Sequence, residues 1–153
     1  MKIQTAKRIR RVSSLLFAVY LVLLFYVLFF SEGYGRTLEE RSYSYNLVPF
    51  QEIKRFWMYR EQVGFRAMFL NIYGNVICFL PFGAILPVLY RRCRYLLVLT
   101  LLSFEFSLLV ETVQLITKVG SFDVDDLLLN TLGGILGYLI FKFCNYWRKK
   151  LYG

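Results

Sequence analysis

Six carboxylate and amide side chains flank the short polar link that joins two apolar runs in the stretch 104–139. Carboxylates can transfer protons or hold a divalent ion, and amides can bind hydroxyl-rich or amide-rich ligands. Ionisable groups in or beside a membrane span are costly, which makes them functional candidates. If both runs cross a membrane, the six groups converge near one bilayer face. They are Glu111, Gln114, Asp123, Asp125, Asp126 and Asn130.

The composition is that of an integral membrane protein. The chain has 153 residues, of which 58% are hydrophobic and 19% aromatic, and its mean hydropathy is +0.49. The net charge of +9 does not indicate a nucleic-acid partner, because the basic residues sit at the ends of apolar runs. With no histidine and no C-x-x-C spacing among the three cysteines, neither a metal centre nor another cofactor is expected.

The positive charges predict the topology. Basic residues cluster in 1–11, in the link 91–94 and in 144–153, and clusters of this kind stay in the cytoplasm. Three such clusters on one side require an even number of spans. We therefore predict an all-α membrane bundle with both termini cytoplasmic, in which a membrane domain, 12–143, lies between basic cytoplasmic tails 1–11 and 144–153. Its four spans cover about 12–30, 66–90, 95–116 and 125–143.

The first outer loop contains an amphipathic segment, N-L-V-P-F-Q-E-I-K-R-F-W-M-Y-R. Pro49 can restart the chain into a helix. That helix would lie at the membrane interface, where aromatic and apolar side chains meet the lipid headgroups. The side chains expected to face the headgroups are Ile53, Phe56, Trp57 and Met58.

The second span carries both polar groups and helix breakers. Asn71 and Asn75 are four residues apart and share a helical face near the outer end. Pro81 and Pro87 remove backbone donors, and Gly83 loosens the helix between them. A kink or a broken segment is expected there.

The third span carries a polar stripe. Ser103, Ser107, Glu111 and Gln114 recur at the spacing of one helix face. Such a stripe must face protein or water, because polar groups in hydrocarbon are costly. Glu105 lies off the stripe, near the predicted bilayer centre.

The fourth span begins with acids. Asp126 and Asn130 share a face, although acids at a helix N-terminus are also favoured by the helix dipole and need no function to explain them. Gly133 and Gly137 form a G-x-x-x-G that predicts close helix contact.

Three spans thus place polar groups at one depth. The second and fourth spans run inwards and the third runs outwards, so that two polar side chains from each of these spans fall in the outer third of the bilayer. This predicted polar cluster consists of Asn71, Asn75, Glu111, Gln114, Asp126 and Asn130, with Asp123 beside it.

These motifs resemble those of the VanZ-like family. The resemblance rests on N-L-V-P-F at 46–50, N-x-x-x-N-V-I-C-F-L-P-F-G at 71–83, E-T-V-Q at 111–114 and S-F-D-V-D-D-x-x-x-N-T-L-G-G-x-x-G at 121–137. It implies a small multi-pass protein of the bacterial cell membrane; the founding member is associated with resistance to teicoplanin, without an established biochemical activity. The family residues carried over are Asn75, Pro81, Gly83, Glu111, Gln114, Asp123, Asp126, Asn130 and Gly134.

One position departs from the family pattern. Members often have an arginine just before S-F-D, where this chain has Gly120, and Lys118 is the nearest cation. If that arginine pairs with the acids or binds an anionic group, this chain does so less well.

Four functions fit these residues. An outer-leaflet pocket could bind a lipid-linked cell-envelope molecule or a lipoglycopeptide. Membrane lipids are expected partners in any case, and nucleic acid is not. A membrane enzyme could use Glu111 with Asp123 or Asp126 as acid and base, or hold a divalent ion through them. The polar cluster could instead serve only to order the bundle. The fourth hypothesis is a transporter, although a transporter usually needs more than four spans unless it oligomerises.

Overall fold

The computed structural model describes residues 3–30 and 43–152. Four long helices form the fold, and shorter elements lie in each of the connections between them. In chain order the elements are α1 (Ile3–Phe30), β1 (Tyr45–Asn46), α2 (Gln51–Met58), α3 (Arg60–Val63), α4 (Phe65–Leu89), a 3-10 turn (Arg91–Arg94), α5 (Leu96–Ile116), β2 (Phe122–Asp123) and α6 (Val124–Tyr152).

Helices α1, α4, α5 and α6 are each long and apolar enough to cross a membrane. The predicted all-α membrane bundle of four helices is confirmed. Two of the helices extend further than the predicted spans: α1 begins at Ile3 and α6 continues to Tyr152. Neither extension contains a glycine or proline that would end the helix. By length and hydropathy, the candidate spans are Lys7–Phe29, Met68–Leu89, Leu96–Ile116 and Val124–Leu151.

Glycines let α4 and α6 pack at close range. A Cβ on Gly137 would collide with the backbone oxygen of Leu80, and a Cβ on Gly83 would collide with the backbone oxygen of Gly134. A Cβ on Gly133 would likewise collide with the backbone oxygen of Val76. Only a residue without a side chain fits at such an approach, and this seam holds α6 against α4 along its length.

Helix α4 is continuous across both of its prolines, so the predicted broken segment is not present in Phe65–Leu89. Two side chains from outside the helix donate hydrogen bonds to carbonyls of α4 close to the prolines. The hydroxyl of Tyr20, on α1, donates to the carbonyl of Cys78 at 2.9 Å. Beyond the helix end, Nε of Arg94 donates to the carbonyl of Pro87 at 3.1 Å. Neither acceptor is a carbonyl that a proline leaves without its donor, which would be that of Ile77 for Pro81 and of Gly83 for Pro87. The two bonds therefore tie α4 to α1 and to the following turn.

The segment before α2 is attached to the start of α6 by a short parallel pairing. Tyr45 lies opposite Phe122 and Asn46 opposite Asp123. No periodic pattern predicted this two-residue ladder. It brings the segment before α2 to the point where the acids begin.

The orientation of α2 differs in part from the prediction. Trp57 and Met58 are exposed at 59% and 74%, as expected for an interfacial face. Ile53 and Phe56 instead line a cavity between α2 and the bundle. The reason is the attachment of the α2 N-terminus to α6, which turns this side of the helix inwards.

Candidate functional site

The polar stripe of α5 is turned into the bundle. Ser103 and Ser107 are fully buried, and Glu111 and Gln114 are exposed by only 2% and 8%. Glu105, off the stripe, is exposed. The stripe therefore faces protein rather than lipid, which is the arrangement that hydrocarbon surroundings demand.

Hydrogen bonds join the stripe to the neighbouring helices. Oε2 of Glu111 accepts a bond of 3.2 Å from the backbone N–H of Asp123. Nε2 of Gln114 donates to the carbonyl of Leu28, on α1, at 3.1 Å. These two bonds tie the end of α5 to both the start of α6 and the end of α1.

A second link joins α4 to α6. Nδ2 of Asn75 donates to Oδ1 of Asp126 at 2.6 Å and to the carbonyl of Asn71 at 3.1 Å. A short bond to a carboxylate is among the stronger hydrogen bonds in proteins. It fixes the Asp126 side chain beside α4.

Asn130 sits deeper than the other members of the predicted cluster. It is 1% exposed, and its Nδ2 donates to Oγ of Ser107 at 2.9 Å. It lines neither of the cavities described below. Its contacts connect α5 and α6 beneath the site.

Asp123 serves as an acceptor for two segments. Its Oδ1 accepts from the backbone N–H of Asp125 at 2.8 Å and from Nδ2 of Asn46 at 3.2 Å. Burial raises the pKa of the Asp123 carboxyl above its ordinary value, and the N–H of Asp125 offsets part of that rise. The carboxyl is thus costly to keep charged in the folded chain.

Asp125 caps a helix from a distant part of the chain. Its Oδ1 accepts from the backbone N–H of Phe50, and its Oδ2 accepts from those of Glu52 at 2.8 Å and Ile53 at 3.1 Å. Sequence reasoning named Asp125 among the acids but gave it no role at the site. One sequence feature pointed to such a role. Phe50, which precedes α2, has no side chain that can cap a helix, so the cap has to come from another part of the chain.

Two adjoining cavities open among these groups, at the end of the bundle opposite the Arg91–Arg94 turn. The larger cavity, of about 650 Å³, lies between β1, α2, α4 and α6, and the smaller cavity, of about 180 Å³, lies between α4, α5 and α6. They share Asn71, Ser121 and Asp126. The predicted site residues that line one or both are Asn71, Asn75, Glu111, Gln114, Asp123 and Asp126.

The lining of these cavities is strongly acidic for a basic protein. Among the described residues that line them, Arg55 is the sole cation, and its guanidinium pairs with Glu52 at 2.5 Å. Within residues 3–30 and 43–152, no group of three or more cysteine, aspartate or glutamate side chains is spaced to hold a metal ion. The carboxylates that line the cavities are Glu52, Glu111, Asp123, Asp125 and Asp126.

Comparison with known proteins gives one consistent result. The profile of the VanZ/LLP1 family matches residues 17–145. The chain is 32% identical to Protein VanZ of Enterococcus faecium over 136 residues, which cover 85% of this chain and 73% of that protein. No solved structure matches. On the extent of both matches, the chain belongs to the VanZ/LLP1 family of membrane proteins.

Proposed function

We propose that this protein acts in the bacterial cell membrane by binding a lipid-linked cell-envelope molecule or a lipoglycopeptide in its two polar cavities. Through that binding it contributes to glycopeptide resistance of the teicoplanin type or to the handling of envelope lipids. The observation that carries the proposal is the pair of adjoining cavities, since polar side chains from α2, α4, α5 and the start of α6 converge on them.

The size and chemistry of the cavities suit such a ligand. Ligand sites in proteins usually measure about 300–1,000 Å³, and the larger cavity falls in that range at about 650 Å³. Carboxylates accept hydrogen bonds and amides both accept and donate them. A headgroup or glycopeptide rich in hydroxyls, amides and amines can therefore be bound through many of its polar atoms.

The charges of the helix ends support an outer position for the site. Asn71 lies near the start of α4, and the same helix ends at the basic turn Arg91–Arg94. Lys149 and Lys150 lie at the end of α6, whose start carries the acids. Because basic ends stay in the cytoplasm, the cavities would open to the outer leaflet.

The test is a pair of charge-removing substitutions with a matched control. Glu111→Gln and Asp126→Asn keep side-chain shape and remove charge, while Glu105→Gln makes the same change at an exposed position of α5. Each variant is expressed in a teicoplanin-susceptible Gram-positive host, and the inhibitory concentration of teicoplanin and the membrane abundance are measured. The first two variants should lose resistance at normal abundance, and Glu105→Gln should keep it.

Two outcomes separate a ligand site from a purely structural cluster. Full resistance in both amide variants at normal abundance rejects the ligand site. Under that result, Glu111→Leu and Asp126→Leu should still lower abundance, because each removes the acceptor of a hydrogen bond inside the bundle, from the Asp123 N–H and from Asn75 Nδ2 respectively.

A further inference from the structure

We propose that the ligand is a membrane lipid with a primary ammonium group, which Glu111 and Asp126 bind in the smaller cavity, and that one hydrocarbon chain of this lipid lies in an apolar groove between α1 and α5. The inference rests on the proposed function and names the chemical class of its ligand.

Each of the two carboxylates has one oxygen left for a ligand. Oε2 of Glu111 accepts from the Asp123 N–H, and Oδ1 of Asp126 accepts from Asn75. Within the described chain, Oε1 of Glu111 and Oδ2 of Asp126 accept no hydrogen bond. Glu111 is 2% exposed and lines the smaller cavity, so its second oxygen is nearly cut off from bulk water yet open to an occupant.

The protein supplies no positive charge to these oxygens from the lining of the smaller cavity, where the described residues include no lysine or arginine. Arg55 belongs to the larger cavity and pairs with Glu52. The ammonium of Lys118 lies over the ring of Tyr43 at 4.6 Å. A buried carboxylate needs a partner, and a cation brought by the ligand would provide one.

An ammonium fits this site better than other headgroup chemistry. It carries one positive charge and three N–H donors, with no acceptor that needs a partner of its own. A hydroxyl brings one donor and no charge. A phosphate in direct contact with the two acids would be repelled by both, so it is the ammonium of the lipid, and not its phosphate, that lies between them. The acceptors around the smaller cavity include Glu111, Asp126 and the amide oxygens of Asn71 and Gln114.

The apolar groove adjoins the smaller cavity. It measures about 260 Å³ and is lined by apolar side chains of α1 and α5, among them Leu21, Leu24, Leu28, Phe106, Leu109 and Val113. Leu28 lines both the groove and the smaller cavity. From Leu21 to Phe29 the groove follows α1 for roughly 12 Å at 1.5 Å of rise per residue. A molecule with a polar head at Glu111 and a chain beside Leu28 would occupy both spaces.

The first experiment compares phospholipids that share their acyl chains and phosphate and differ in the headgroup. The full chain in detergent is incubated with palmitoyl-oleoyl phosphatidylethanolamine, phosphatidylcholine or phosphatidylglycerol, and bound lipid is measured by native mass spectrometry. Phosphatidylethanolamine and phosphatidylcholine share chains and phosphate, but the trimethylated amine has no N–H. We expect about ten-fold tighter binding of phosphatidylethanolamine, equivalent to about 1.4 kcal/mol. Equal binding of the two overturns the ammonium assignment.

Substitutions then locate the binding. In Glu111→Gln with Asp126→Asn, the preference for phosphatidylethanolamine should vanish. Gly120→Arg gives an independent test, because Gly120 lines the smaller cavity and a Cβ there would meet the Gln114 side chain at an ordinary 3.5 Å. An arginine at 120 would supply the missing cation internally and should also abolish the preference. A preference that persists in both variants overturns the proposal.

The groove is tested by chain length. Dipalmitoyl phosphatidylethanolamine should bind more tightly than the dihexanoyl lipid in the native protein, and Leu109→Trp, which fills the groove, should reduce this difference several-fold. Leu101→Trp is the control, because Leu101 is exposed on the same helix outside the groove. An equal effect of both substitutions overturns the groove assignment.

Failure of this inference can be told from failure of the proposed function. If phosphatidylethanolamine is not preferred but Glu111→Gln and Asp126→Asn still abolish teicoplanin resistance, the cavities bind a ligand of another class. If neither effect is seen, both proposals are rejected.

Discussion

Oδ2 of Asp125, at the start of α6, accepts a hydrogen bond of 2.8 Å from the backbone N–H of Glu52, in the first turn of α2. The contact joins residues 73 positions apart. It places a short amphipathic helix over the larger cavity, so the wall of that cavity depends on a carboxylate of α6.

We first predict that α2 detaches when Asp125 loses its charge. The Asp125 carboxylate is 1% exposed and accepts three backbone N–H groups with its two oxygens. In Asp125→Asn an amide nitrogen would face one of these donors, and loss of a cap typically costs about 0.5–2 kcal/mol. Amide hydrogen exchange in 51–58 should rise. Unchanged exchange there would show that the cap is dispensable.

Asp123→Asn is the matched control for that experiment. Both bonds to the Asp123 side chain end on Oδ1, and an amide oxygen can accept both. Exchange in 51–58 should therefore stay as in the native protein, although the substitution also removes one buried charge two residues away.

We next predict a pH dependence that comes from Asp123. Burial raises the pKa of this carboxyl in the folded chain, so the folded state holds the proton more tightly than the unfolded state. Its contribution to stability is therefore greatest at low pH and falls as the pH rises through the raised pKa. Asp123→Asn mimics the protonated acid. It should melt at a higher temperature than the native protein at neutral pH.

The measurement is thermal unfolding in detergent for both proteins across a pH series. The difference in melting temperature should shrink as the pH falls towards the ordinary aspartate pKa of about 3.9. A difference that stays constant with pH would contradict an origin in the protonation of Asp123.

Local patterns were enough to predict the long helices and the direction of the polar stripe. Apolar length identifies a membrane span, and the spacing of Ser103, Ser107, Glu111 and Gln114 identifies one helix face. The structure buries all four. These features depend on residues close together in sequence, which is why a single sequence contains them.

Contacts between distant segments were not predictable in this way. The ladder of Asn46 with Asp123 is two residues long and has no period to detect. The cap of α2 is supplied by Asp125 from outside the helix's own sequence. Because that cap decides how α2 is turned, the inward direction of Ile53 and Phe56 could not be read from amphipathicity alone.

A third prediction concerns topology. The basic clusters predict cytoplasmic termini, with the outer loop on the other side of the membrane. In a background lacking Cys78, Cys93 and Cys144, a cysteine introduced at Ser44 should react with a membrane-impermeant thiol reagent in intact cells, and one at Lys150 should not. Both positions are exposed in the fold, so burial would not mask the difference. The reverse labelling pattern would place the cavities at the cytoplasmic face.

The fourth prediction concerns the seam between α4 and α6. A Cβ at Gly137 would meet the backbone oxygen of Leu80 and, at 2.9 Å, the backbone nitrogen of Ala84. Backbone atoms of a helix cannot move aside as a flexible side chain does, so even Gly137→Ala must push the two helices apart. Overpacking of this kind costs about 1–3 kcal/mol, and Gly137→Leu should cost more.

The control for the seam is Leu139→Ala, two residues along α6 on an exposed side, where a substitution usually changes stability by less than about 0.5 kcal/mol. Melting temperature in detergent is the measurement. Because Asn75 on α4 bonds Asp126 on α6, separation of the helices should also weaken lipid binding in the smaller cavity. An unchanged melting temperature in Gly137→Leu would mean that α4 and α6 do not meet at this glycine. Another contact would then have to hold Asn75 close to Asp126.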